Sequence, residues 1–257
     1  MLLLYVFLVH ILGIIGLYFL WDPSYLPLII IGNIFFGLIG GEIFYHRYLS
    51  HNSFTCSNAV KYFMIFCSFF SGQGGPLGWC MHHREHHKYS DTDKDPHTVD
   101  EDPIGMWFCP NNRRGLWIGP EGNWDLLDQD LLQFIQRWFW YIHFVLLLTV
   151  IAIDIKIAFY LILLPNLLGV HQQGMINVLG HRWGYRSYNT PDHSVNNRIL
   201  ALFTFGDCLQ NNHHAFPWSY NNAVGPGEFD ISAVVIKHIL AKSVVEPNAS
   251  EFLCSNK

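Results

Sequence analysis

Four long apolar runs constrain the fold of this 257-residue chain more than any other feature. The first contains no lysine, arginine, aspartate or glutamate, and the second ends at Glu42. The runs cover residues 1–20, 26–41, 138–153 and 157–176. A helix of about 20 residues crosses a hydrocarbon core of about 30 Å at a rise of 1.5 Å per residue. We therefore predict an all-α integral membrane protein with four transmembrane helices in two hairpins.

The composition favours the same class. Hydrophobic residues make up 51% of the chain and charged residues only 14%, which is more apolar than a soluble domain of this size needs. We expect a single domain over residues 1–257. The first run has neither the basic start nor the small-residue cleavage site of a signal peptide, so we interpret it as a span.

The charge pattern and the cysteines limit which partners and which redox compartment we expect. The net charge of −5 is scattered, and no lysine- or arginine-rich run is present, so we expect no nucleic acid partner. The six cysteines form no CxxC pair, which indicates reduced thiols.

The distribution of positive charge predicts the orientation. Two spans lie between the histidines of residues 46–87 and those of residues 181–214, so both groups return to one side of the membrane. Lys156 is the only one of the 15 lysines and arginines outside the stretches that this topology places in the cytoplasm. We expect the histidines and both termini to face the cytosol, from a bacterial inner membrane or the endoplasmic reticulum. Residues 62–70 are too short to cross and are expected to lie at the interface or against other helices.

Nine residues in four segments form a pattern typical of a metal centre. In the segment HREHH, three histidines stand at i, i+3 and i+4, so a helix would direct their imidazoles toward a common point. The segment QNNHH repeats this spacing with glutamine in first place. The nine residues are His46, His51, His83, His86, His87, His181, Gln210, His213 and His214.

The remaining histidines have other spacings. His46 and His51 lie five residues apart, which a straight α-helix would splay by roughly 140°, so we expect the helix to end between them. Asn177 and His181 are one helical turn apart, and His82 is expected to face away from its neighbours. Structural roles are assigned to the histidines without a spaced partner, namely His10, His143, His171, His193 and His238.

The number of candidate ligands indicates two metal ions, because a structural zinc site takes only four. Imidazole binds iron, copper, nickel and zinc, so the ligand type leaves the metal open. A zinc protease is not indicated, because Glu85 precedes His86 and no HExxH occurs.

These segments carry a family resemblance. They are HRYLSH at residues 46–51, HREHHKYSDTDKDPH at 83–97, NVLGHRWGYRSY at 177–188 and NNHHAFP at 211–217. With them the chain resembles the membrane fatty acid desaturases of the stearoyl-CoA desaturase type, from the second span to about Phe216. The histidine boxes are shared with membrane hydroxylases, whereas NxxxHxxGYR and DPH are characteristic of these desaturases.

The resemblance implies that the eight histidines bind two irons (Fe2+/Fe3+) and that Asn177 holds a metal-bound water. It implies four transmembrane helices beneath a cytosolic helical cap that holds the di-iron site. Such enzymes use O2 to form a cis double bond, and the resemblance favours the Δ9 position of a saturated acyl chain of sixteen or eighteen carbons. The carrier stays open among CoA, a membrane phospholipid and a carrier protein. Because no heme-binding HPGG occurs, we expect a separate electron donor, cytochrome b5 or ferredoxin with its reductase.

Residues beside the histidine boxes are candidates for supporting roles. Candidates to line an apolar tunnel, with belt or core packing as the alternative, are Trp79, Trp107, Trp183 and Tyr185. Candidates to orient ligand imidazoles, with a solvated acidic loop as the alternative, are Asp91, Asp93 and Asp95. Candidates to contact a phosphate head group or anchor a helix are Arg182 and Arg186.

The chain departs from the family pattern at Gln210, where histidine is usual, and at Asp207, where glutamate is common. An amide oxygen is a poorer donor to iron than imidazole, so we predict that Gln210→Ala costs less activity than His213→Ala. Two alternatives to a desaturase stay open. One is a fatty acyl hydroxylase with the same histidine cage, and the other is a catalytically silent membrane metal-binding protein.

Overall fold

Four helices in the computed structural model are long and apolar enough to cross a membrane. The structure describes residues 2–96, 98, 102–108 and 120–246. The four helices are α1 (Leu2–Phe19), α2 (Pro23–Ser50), α7 (Asp130–Ile153) and α8 (Ile155–Leu179). They cover the four predicted runs. The arrangement in two hairpins and the side of the membrane stay predictions.

The long helices leave much of their apolar surface uncovered. On α1, for example, Ile14, Tyr18 and Phe19 are more than 70% exposed. Such a surface is costly in water and is the surface that a hydrocarbon core would cover.

Seven shorter helices complete the helical part of the described residues. They are α3 (Asn58–Ser68), α4 (Pro76–Tyr89), α5 (Pro103–Phe108), α6 (Trp124–Leu127), α9 (Arg198–Phe203), α10 (Gln210–Ala215) and α11 (Ile231–Leu240). Helix α3 packs along α2, as expected for the segment that is too short to cross. The main core lies between α2, α3, α4 and α7.

The all-α prediction needs one correction, because a small antiparallel sheet is present. Strand β1 (Phe54–Cys56) pairs with β2 (Ala241–Val244). Phe54 is buried while Thr55 faces outward and its hydroxyl lies 2.6 Å from the Ser243 hydroxyl. The sheet fastens the segment after α11 to the chain just beyond His51.

The second half of α2 is wound more widely than an α-helix. From Asn33 to Ser50 its backbone bonds run from residue i to i+5, the π-helical pattern. Ser50 is the last helical residue, and the amide of His51 still donates to the carbonyl of His46, at 3.2 Å. The helix therefore ends between the two histidines, as predicted, and the wider turn brings their ring centroids to 4.9 Å.

Candidate metal centre

Helix α4 divides its three histidines between two clusters. Pro76 occupies its first turn, where the missing amide hydrogen costs nothing, and the helix continues through the second histidine segment. His83 and His87, one turn apart, join one cluster, and His86 joins the other. The prediction of a common point for all three imidazoles was therefore wrong. Three and four residues are 300° and 400° of α-helical rotation, so i+3 and i+4 lie on opposite sides of i.

The first cluster contains five imidazoles, whose Nε2 atoms converge. Their shortest separations are 2.8 Å (His51 to His83), 2.9 Å (His46 to His213), 3.0 Å (His87 to His213) and 3.1 Å (His83 to His87). At roughly 2.1 Å from an ion, two ligand nitrogens at a right angle lie about 3 Å apart. The spacing of the five nitrogens therefore fits a metal ion between them.

The protonation of these rings favours the same interpretation. Burial, and then the charge of neighbouring imidazoles, lowers the pKa of His83, His87 and His213 well below the usual range. A neutral imidazole has one proton and one lone pair. His46 directs Nδ1 to Glu42, at 3.0 Å, and its Nε2 faces Nε2 of His213 at 2.9 Å. A cation between the rings would be bound by such nitrogens in their unprotonated form.

The second cluster contains His86, His181 and His214. Each directs Nδ1 to a carboxylate at 2.9 Å, namely Asp95, Asp91 and Asp192 respectively. Such bonds place the proton on Nδ1 and orient the ring so that Nε2 is free to bind a metal. The Nε2 atom of His214 is buried without a hydrogen-bond partner. The cluster adjoins the first, since the rings of His87 and His214 are 4.5 Å apart.

Two amide side chains, Gln210 and Asn177, lie on or beside the segment that leads to His181. Gln210 is 3% exposed. Its side-chain Nε2 donates to the carbonyl of Asp207 at 2.8 Å, so its Oε1 points away from that carbonyl. A Cβ built on Gly180 would lie 2.7 Å from Cγ of Gln210, so the glutamine packs directly beside the segment that carries His181. The Nδ2 atom of Asn177 is buried without a partner.

A buried charge network supports the first cluster. Arg47 is fully buried and donates to Glu42 (2.9 Å), Asp230 (3.2 Å) and Asp207 (3.4 Å). Glu42 and Asp207 also contact Nδ1 of His46. The sequence interpretation missed Glu42, Arg47 and Asp230 as parts of the site. One available signal was a glutamate and an arginine placed four residues before and directly after His46.

The other residues predicted to support the histidines have different environments. Trp79 stacks on His83, with ring centroids 5.0 Å apart, whereas Trp183 is 62% exposed. Tyr185 donates to Glu228 at 2.5 Å and accepts from Arg198. Asp93 is exposed.

Arg186 holds a loop together. Its guanidinium donates to the carbonyls of Thr190, Asp192 and Ser194, and so shapes the loop that directs Asp192 to His214. Both His97 of the DPH sequence and Cys109 lie outside the described residues. Among those described, the four cysteines are free thiols.

A narrow cleft is lined in part by Trp79. Its wall includes Val6 of α1, Trp107 of α5, and Asn166 and Gln173 of α8. Its accessible volume is about 40 Å³, and it is partly open to the surface.

Known proteins share this sequence pattern. The profile of the fatty acid desaturase family matches residues 23–223. Delta-9 acyl-lipid desaturase 2 of Arabidopsis thaliana is 31% identical over 90% of this chain and 76% of that protein. Acyl-CoA C20 Delta5-desaturase of Anemone leveillei is 33% identical over 78% of this chain.

The relatives differ in length and in named substrate. The chain spans 66% of the Anemone protein and 64% of icosanoyl-CoA 5-desaturase of Limnanthes douglasii, with which it is 31% identical over 87% of its own length. The residues matched by the family profile include all four histidine segments. The chain therefore belongs to the fatty acid desaturase family.

Proposed function

We propose that this protein is an O2-dependent fatty acyl desaturase that inserts a cis double bond into a saturated acyl chain. The observation that carries the proposal is the convergence of eight histidines in two adjacent clusters. Relatives named as acyl-CoA and acyl-lipid desaturases support a fatty acyl substrate.

The two clusters would hold two iron ions. His46, His51, His83, His87 and His213 would bind one. His86, His181 and His214 would bind the other, with Gln210 and Asn177 beside it. When bound, iron with O2 supplies the oxidising power that removes hydrogen from an unactivated methylene, for which no side chain is strong enough.

The protein's own residues then hold the ligands and the acyl chain in position and exclude water. The carboxylates on Nδ1 hold the rings of His86, His181 and His214 in fixed orientations. Trp79, which stacks on His83 and lines the narrow cleft, would offer an apolar face to the acyl chain. Glu42 and Asp207 are buried, so the charged groups beside His46 are shielded from water.

The specific reaction is proposed from the names of two relatives and from the motif resemblance. Relatives from Arabidopsis and Anabaena variabilis are named as Delta-9 acyl-lipid and sn-1 stearoyl-lipid 9-desaturases, the latter 28% identical over 78% of this chain. We infer a Δ9 double bond in a chain of sixteen or eighteen carbons, carried on lipid or CoA. Electrons come from a separate cytochrome b5 or ferredoxin with its reductase, and the site faces the cytosol.

Expression in a desaturase-deficient host tests this function. Membrane fatty acids are identified by mass spectrometry with double-bond localisation, and His213→Ala serves as the inactive control. We expect monounsaturated chains that the control lacks. Hydroxylated chains would assign the protein to the hydroxylases instead. No new product from iron-loaded protein supplied with an electron donor would contradict an enzymatic function.

A further inference from the structure

Helix α9 has one buried face and one exposed apolar face. Ala201 is fully buried, whereas Ile199, Leu202 and Phe203 are 69%, 53% and 62% exposed within the described structure. These three large side chains stand at i, i+3 and i+4, so they lie within about 100° of one another around the helix. They form one apolar surface that is costly to leave in water.

Contacts with two long helices fix the position of α9. The side chain of Gln172, on α8, donates from Nε2 to the carbonyl of Phe203 at 2.7 Å. Phe205 lies against α2, since a Cβ built on Gly37 would be 3.6 Å from its ring. The end of α9 therefore lies beside two of the helices that are long enough to cross a membrane.

An ion pair at the opposite end of the bundle gives a reference for depth. Lys156, near the start of α8, binds Asp22 at 2.7 Å, and charges of this kind stay at the edge of the hydrocarbon core. From Lys156 to Gln172, α8 rises about 24 Å. The core is about 30 Å thick, so the carbonyl of Phe203 lies about 6 Å inside its other edge. Any tilt of α8 places this carbonyl deeper.

The start of α9 has the opposite character. Arg198 donates from Nε to the hydroxyl of Tyr185 at 3.0 Å, and Asn197 donates from Nδ2 to the carbonyl of Trp183 at 3.2 Å. Trp183 is exposed, and tryptophan is enriched at the boundary between lipid and water. A polar start and an apolar end are suited to a helix that enters the bilayer from this boundary.

We propose that α9 enters the bilayer leaflet on the histidine side and that its apolar face contacts the acyl chains of phospholipids. Arg198 lies at the level of the phosphate groups, and Leu202 and Phe203 lie below them. This inference concerns the placement of the chain in the membrane and does not depend on which reaction the metal centre performs.

The embedded helix also positions part of the metal centre. The amide of Asn197, the residue before α9, donates to the carbonyl of Cys208 at 2.8 Å. Gln210, His213 and His214 follow Cys208 on α10. The depth of α9 therefore fixes the height of these three residues above the lipid.

Fluorescence quenching in lipid nanodiscs tests the placement. With the native cysteines replaced, bimane is attached to Leu202→Cys, and the phospholipids carry bromine on their acyl chains. Leu148→Cys, at a 62% exposed position of α7, is the lipid control, and Thr92→Cys, in an exposed loop, is the water control. We expect the Leu202 label, like the Leu148 label, to lose most of its emission in brominated lipid and little in aqueous iodide. A label at Ile199→Cys should lose less in brominated lipid, because it lies nearer the start of α9.

Two outcomes would overturn the proposal. If iodide quenches the Leu202 label as strongly as the Thr92 label, α9 lies in water. If neither iodide nor brominated lipid quenches it, another protein surface covers this face.

A second measurement uses the unaltered protein and so does not depend on the cysteine replacements. A phospholipid with a diazirine on its acyl chain is activated by light in the nanodisc, and the labelled residues are located by peptide mass spectrometry. We expect label within residues 199–203 as well as on α1, where Ile14 is 71% exposed. Label on α1 without label on α9 would contradict the proposal.

Discussion

At the residue scale, neighbouring histidines of one helix belong to different clusters. His83 and His87 contribute to the five-histidine cluster, and His86 between them contributes to the other. The same division separates His213 from His214. A short helix can therefore hold two ions close together.

The two clusters differ in their number of imidazoles, and Gln210 stands where the family pattern would add one more. The second has three imidazoles with two amides beside it, and an amide oxygen binds iron more weakly than imidazole does. We expect Gln210→Ala to retain more activity and more iron than His213→Ala. We expect Gln210→His to hold its second iron more firmly against a chelator. Iron per chain, measured after chelator dialysis, checks this, and equal complete loss in both alanine variants would contradict it.

Asp91 offers a second test at this scale. Its carboxylate accepts from Nδ1 of His181 and from the amide of His193, and its φ of 58° is one that asparagine tolerates. Asp91→Asn should therefore fold normally but lower iron affinity about 10- to 100-fold, the usual effect of losing such a partner. The exposed Asp93→Asn is the control, measured by iron titration. Equal affinities in the two variants would show that Asp91 does not support the metal.

At the element scale, the wide winding of α2 delivers two histidines to one cluster. An α-helix would place His46 and His51 on different sides, whereas π-type bonds bring them together. The same helix buries Arg47 among three carboxylates.

Removing this guanidinium should destabilise the whole element. Arg47→Met leaves buried Glu42, Asp207 and Asp230 without their cation, which typically costs about 3–5 kcal/mol. Thermal unfolding in detergent, followed by size-exclusion chromatography, should show a clear fall in Tm. Lys237→Met, which removes an exposed ion pair with Glu246, should change Tm little. A similar Tm for both variants would refute a structural role for the network.

Much at this scale could be predicted from the sequence, because apolar length and histidine spacing are local signals. The four spans, helix α4 and helix α10 follow from them. The π winding depends on tertiary packing, and no spacing rule reveals it. The carboxylate partners were also hard to find, since Asp192 lies 22 residues from His214 and meets it only after folding.

At the scale of the whole molecule, the orientation in the membrane can be tested directly. The loop with Ser24 and the loop with Thr92 lie on opposite sides of the membrane in the predicted topology, and both residues are exposed. With the native cysteines replaced, Ser24→Cys should react with an impermeant maleimide in intact cells. Thr92→Cys should react only after permeabilisation. The reverse pattern would place the metal centre outside the cytosol.

The most direct test of the central claim follows the oxygen atoms. The purified iron-loaded protein in lipid nanodiscs receives a saturated acyl substrate, an electron donor and 18O2. The account predicts an acyl product two hydrogens lighter and free of 18O, with the label in water. A product that contains 18O, or acyl chains left unchanged, would contradict a desaturase.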